Sequence, residues 1–108
     1  MGTRATIEFK DKYEKAYVYR GHDGFPETVL DDLKRVIEKK KESWAEPMCM
    51  LLATCFVGET YDSKQRLPDY EITTGFHGDE SYRYFVEWDD ERKEWAVSCF
   101  PQFGPNFT

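Results

Sequence analysis

Histidine, cysteine and long apolar runs are all scarce in this chain of 108 residues, and each scarcity narrows what it can do. It has two histidines, His22 and His77, and three cysteines, Cys49, Cys55 and Cys99. No C-x-x-C pair and no Cys/His spacing of the zinc-site kind occurs, so a metal is not expected. Cys49 and Cys55 lie six positions apart, roughly 120° around a helix, and so share no face; they read as small buried hydrophobes. An odd cysteine count without a secretory segment leads to the expectation of reduced thiols and a cytoplasmic setting. The longest apolar run, Met48–Val57, is too short to cross a bilayer. Internal repeats and low-complexity stretches are absent.

Basic residues run short in the second half. Residues 1–57 carry ten acids and ten bases, whereas residues 58–108 carry eleven acids and five bases, which accounts for the whole net charge of −6. An acidic half repels phosphate, so direct nucleic-acid binding is not expected; a basic protein partner fits better. What the chain does have is 40% hydrophobic and 33% charged residues, enough for one domain with a core that needs no covalent staple.

Residues 3–10 alternate, with Ala5, Ile7 and Phe9 on one face, and residues 15–20 return as the second strand of a hairpin. Pro26 opens a helix whose stripe is Val29, Leu30, Leu33, Val36 and Ile37, with Trp44 just beyond; early acids and the late lysines Lys39, Lys40 and Lys41 suit its dipole. A second helix is expected from Pro47 to Gly58, apolar all round and therefore either buried on every side or part of a homodimer interface through Met48–Val57. Three further strands, Tyr70–Thr74, Ser81–Trp88 and Glu94–Phe100, read as an antiparallel meander, and the tail from Pro101 as an irregular cover over apolar surface. The sum is an α+β domain of order ββααβββ, with an antiparallel sheet of about five strands and both helices on one face.

Chemistry concentrates at two turns. Between the second strand and the first helix lie Arg20, Gly21, His22, Asp23 and Gly24; later come His77, Gly78, Asp79 and Glu80. Each turn couples His to Asp with glycine close by. If they meet, Arg20, His22, Asp23, Gly24, His77, Gly78 and Asp79 form a candidate phosphate- or nucleotide-binding site beside a helix N-terminus, or His22 serves as a general base. The alternative is that both are turn formers. Their meeting hinges on topology. A complete helical hairpin sends the third strand antiparallel to the second and leaves His77 at the far end; a long crossing by residues 59–69 makes the two strands parallel and brings the turns to one edge.

The pattern Arg4-Ala5-Thr6-Ile7, Tyr19-Arg20, Asp23-Gly24-Phe25-Pro26-Glu27, Leu30-Asp31-Asp32-Leu33, Tyr70-Glu71-Ile72-Thr73 and His77-Gly78-Asp79-Glu80-Ser81-Tyr82-Arg83-Tyr84 resembles a family of small uncharacterised proteins encoded by phages, prophages and mobile elements. Members usually carry histidine where this chain has Gly21; here the histidine falls one place later, at His22. The resemblance implies that the two turns converge, but it brings no activity or cofactor. Two functions follow as expectations. One is an acidic accessory factor that binds a host protein, with Asp89, Asp90 and Glu91 as candidate contacts. The other is a ligand-binding or hydrolytic protein built on the two turns.

Overall fold

The computed structural model describes residues 3–40, 48–60 and 69–102. Trp44, Lys41, Pro47, most of the loop after Glu59 and the tail beyond Gln102 lie outside them. The elements are β1 (Ala5–Lys10), β2 (Lys15–Arg20), α1 (Pro26–Lys40), α2 (Cys49–Glu59), β3 (Glu71–Thr73), β4 (Tyr82–Asp89) and β5 (Glu94–Pro101). The order matches the expected ββααβββ. The pairing does not.

The sheet runs β3-β2-β1-β4-β5 and is mixed. β1 pairs β2 antiparallel, from Ala5 opposite Arg20 to Lys10 opposite Lys15, and pairs β4 parallel, from Ala5 opposite Tyr82 to Lys10 opposite Glu87. The expected all-antiparallel sheet with a β3-β4-β5 meander is therefore corrected: β3 pairs β2 at one edge, and only β4 and β5 form a hairpin. Alternation patterns carry no information about partners, because a strand buried on one face looks the same beside any neighbour. β1 becomes the central strand.

Its side chains explain why. Ala5, Ile7 and Phe9 point to the helices with Val18, Tyr84 and Val86, all buried, while Thr6 on the opposite face is buried too. α1 contributes Val29, Leu33 and Val36 from its stripe. α2 contributes Cys49, Leu52, Ala53 and Phe56, and the Phe56 ring meets Phe9 at 5.7 Å and Tyr70 at 4.5 Å between centroids. α2 is not buried on every side as expected: Met48, Met50 and Leu51 face solvent, because a helix laid on a sheet still has an outer face. It also runs past Gly58 to Glu59, whose carboxylate pairs with Lys39 at 2.7 Å and Lys40 at 3.5 Å. No helix among the described residues is long and apolar enough to cross a membrane.

One carboxylate ties the hairpin to α2. Asp11 Oδ1 accepts from the Tyr13 and Glu14 N–H groups at 2.7 and 2.8 Å, and Oδ2 accepts from the Cys49 N–H at 2.8 Å. The last bond caps α2, since Met48 at its N-cap makes no side-chain cap bond. Burial pushes the Asp11 carboxyl up, but these donors outweigh it and hold its pKa below the ordinary 3.8. Asp11→Ala is expected to cost about 2 kcal/mol in urea unfolding at pH 7, the size of a lost cap plus a lost turn. With the folded pKa depressed, the carboxylate's contribution is present above the ordinary 3.8 and is lost as pH falls below it and through the lower folded value, so wild type and variant converge on acidification.

Candidate functional site

Both turns do come to one end of the sheet, by neither of the expected routes. β3 runs antiparallel to β2, yet residues 74–81 double back at once across the face that the helices leave open. The start of β1 lies between the turns: Gly24 N–H donates to the Thr3 carbonyl at 2.9 Å, and Ser81 N–H to the Arg4 carbonyl at 2.8 Å. Asp23 takes a left-handed φ of 51° to make the first turn. Gly24 then packs directly on the β1 backbone, where an added Cβ would stand 2.7 Å from Ala5 Cβ and 3.0 Å from the Thr3 carbonyl oxygen. Its own carbonyl accepts from the buried Tyr84 hydroxyl at 2.7 Å.

Arg20 belongs to the helix side. It is buried; its Nε donates to the His22 carbonyl at 2.6 Å, its Nη1 lies 3.7 Å from Asp32 Oδ2, and its guanidinium sits 4.8 Å from the centre of the Tyr70 ring. The Tyr70 hydroxyl donates to the same Asp32 oxygen at 2.8 Å. Burial first, and then the Asp32 carboxylate, raise the Tyr70 hydroxyl above its ordinary range and keep it a donor. The exposed His22 ring lies 3.7 Å from Asp69 Oδ1. Asp32 and Tyr70 were not among the expected site residues. The signal for Asp32 was a carboxylate on the buried stripe of α1, three residues after Val29 and four before Val36; Tyr70 carried none.

His77, Gly78 and Asp79 belong to the opposite side. The His77 ring stacks on Tyr19 at 3.7 Å and 8° and places Nε2 2.8 Å from Thr73 Oγ1. Asp79 accepts from the Tyr19 hydroxyl at 3.4 Å and pairs with Arg4 at 3.4 Å. Beneath them lies Glu80, buried. Its Oε2 accepts from Thr6 Oγ1 at 3.1 Å, His77 N–H at 2.9 Å and Gly78 N–H at 3.1 Å; its Oε1 accepts from Arg83 Nε at 2.8 Å. Gly78 has a φ of 90°, which presents its N–H to that carboxylate. Burial alone would raise the Glu80 pKa; Arg83, Thr6 and the His77 N–H together hold it below its ordinary value.

Successive strand residues point to opposite faces, so neighbours Tyr19 and Arg20 send the two groups to opposite sides of the sheet. Among the described residues no hydrogen bond, ion pair or ring contact joins Arg20, His22, Asp23 or Gly24 to His77, Gly78 or Asp79. No buried side-chain nitrogen or oxygen among them lacks a partner.

Two other clusters have local partners. Asp89 Oδ1 accepts from Glu91 N–H at 3.0 Å and Arg92 N–H at 3.1 Å, while Asp90 meets Lys93 at 3.2 Å and Lys12 at 3.3 Å, so much of this turn's charge is balanced. Asp11, Glu14 and Cys49 bring three donor atoms within 4.8 Å of one another. Burial, with Asp11 alongside, pushes the Cys49 thiol up to about 11.

Comparison with family models, with curated proteins and with solved structures finds no match to this chain. The reading of its function therefore rests on its own geometry. A direct check of the first turn is a pair of glycines. Gly24→Ala is expected to destabilise by about 1–3 kcal/mol, because the clash is with the Ala5 Cβ and the β1 backbone, neither of which can turn aside. Gly21→Ala, whose Cβ would meet only Tyr19 Cε2 at 3.8 Å, is expected to stay within about 0.5 kcal/mol of wild type in the same urea titration.

Proposed function

We propose that this chain is a small acidic binding protein, an accessory factor of the phage or mobile-element kind, that acts by holding a basic protein partner rather than by catalysis. The observation that carries the reading is the contrast between its buried charges and its exposed apolar side chains. Arg20, Asp11 and Glu80 each spend their hydrogen-bonding capacity inside the fold. Meanwhile Met48 and Met50 stand about half exposed, at 49% and 48%, on the outer face of α2 with Leu51. Tyr13 stands 86% exposed on the adjoining hairpin, linked to the start of α2 through Asp11. Flexible methionines flanked by an aromatic ring make an adaptable contact surface, and a net charge of −6, carried by residues 58–108, attracts a basic partner to the molecule as a whole.

A second reading keeps one specific support. His77, Asp79 and Arg4 form an exposed group on the open face that could hold a small anion or nucleotide.

One experiment separates them. Wild type, Met50→Glu/Leu51→Glu and His77→Ala are compared in affinity capture from a host lysate and in thermal melts with phosphate, nucleotides and divalent metals. The binding-protein reading expects a specific captured protein that the double variant loses while its Tm holds within a few degrees. A melting shift with phosphate or a nucleotide that only His77→Ala loses would favour the ligand reading, since a ligand at a hundredfold excess over Kd stabilises by about 2.7 kcal/mol.

A further inference from the structure

The two edges of the sheet differ in kind. β3 is three residues long, too short to recruit another strand easily. β5 is eight residues long and largely exposed, and between Trp95 and Phe100 it carries no charge and no proline. Val97 is 39% and Phe100 54% exposed, one on each face. Natural edges of this length usually carry such guards against pairing.

The hydrogen-bond register says which groups the edge presents. Tyr82 lies opposite Pro101, and one step on Gln102 N–H donates to the Ser81 carbonyl at 2.8 Å. In an antiparallel ladder the residues that bond across a pair alternate along each strand. Ala96, Ser98 and Phe100 therefore turn their backbone groups toward β4, whereas Trp95, Val97 and Cys99 turn theirs outward. The outward row is three donors and three acceptors centred on Val97. Pro101, without an N–H, ends it on one side, and the turn at Lys93, with a φ of 57°, ends it on the other.

We infer that β5 pairs with β5 of a second copy of this chain, antiparallel about a two-fold axis through Val97, to give a continuous ten-stranded sheet. A two-fold perpendicular to the sheet keeps each face on its own side, so it must pass through a residue rather than between two. Centred on Val97 it pairs Val97 with itself and Trp95 with Cys99 of the second copy, and all six outward groups find partners. A shift of two residues toward the C-terminus sets Val97 against Pro101 and loses a donor; a shift the other way sets Val97 against Lys93. The chosen register also places Glu94, the strand's one charge, opposite Phe100 rather than opposite another acid, so no like charges meet. A second copy is favoured as the occupant because it brings a strand of the same length with the same uncharged, proline-free span from Trp95 to Phe100, so the two rows match end to end. The contact is independent of the α2 surface.

Sedimentation equilibrium of the full chain across a wide concentration range tests the pairing. The expected result is a concentration-dependent species of twice the 12.8 kDa chain mass. Val97→Pro removes an outward N–H that the monomer does not use, and Val97→Lys keeps the backbone but sets two cations face to face on the axis. Both are expected to give monomer, with far-UV circular dichroism and Tm close to wild type. If Val97→Pro fails to fold, Val97→Lys carries the test alone. A wild type that stays at 12.8 kDa throughout overturns the inference. So does a dimer that survives Val97→Lys, or one lost instead on Met50→Glu/Leu51→Glu.

Discussion

The buried carboxylate of Glu80 is the constraint on which this arrangement depends. β3 runs antiparallel to β2 and delivers the chain to the wrong end for β4, which must start beside Ala5 to lie parallel to β1. Residues 74–81 make up the distance by crossing the open face of the sheet. A strap over a sheet has no ladder to satisfy its amides, and buried backbone donors without partners are costly. Glu80 supplies the missing acceptor to His77 and Gly78, takes the Thr6 hydroxyl from the strand beneath, and is balanced by Arg83. Around that anchor the aromatic packing follows: Phe76 settles between Tyr17 and Phe85, at 5.4 and 5.6 Å, and His77 lies flat on Tyr19.

This anchoring gives the two glycine-rich turns structural partners among the described residues. The backbone N–H pair of a glycine-rich turn is a natural anion nest. Here the nest is filled by the chain's own Glu80. The cation of the first turn is likewise held, by Asp32 and the face of Tyr70. Besides the group of His77, Asp79 and Arg4, the described residues expose the apolar outer side of α2 and the outer backbone of β5. These are surfaces for contact, which is why the proposed function is binding.

Much of this was legible in the sequence, for reasons that can be named. Pro26 and the stripe from Val29 to Val36 placed α1, period-two alternation placed β1, β4 and β5, and the hairpin return placed β2, all four strands to within two residues of their bounds. Strand partners were not legible. Ser81–Trp88 alternates in the same way whether it joins a meander or slots beside β1, and only the three-dimensional crossing of residues 74–81 decides. Burial on both sides of Thr6 was hidden for the same reason, since the strap that covers it arrives from 74 residues away. At the candidate site the turns were read from their glycines and histidines. The residues that hold the charges, Asp32, Tyr70 and Glu80, looked respectively like a helix-dipole acid, a strand aromatic and a turn acid.

The account rests most heavily on Glu80 anchoring the strap, and one measurement addresses that directly: an NMR pH titration that follows the Glu80 side-chain carboxyl carbon and the His77 and Gly78 amide protons. The account predicts a Glu80 midpoint below the ordinary 4.5, with both amides shifting at that same midpoint as their acceptor is protonated. A Glu80 that titrates at its ordinary value, with the two amides indifferent to it, would contradict the account.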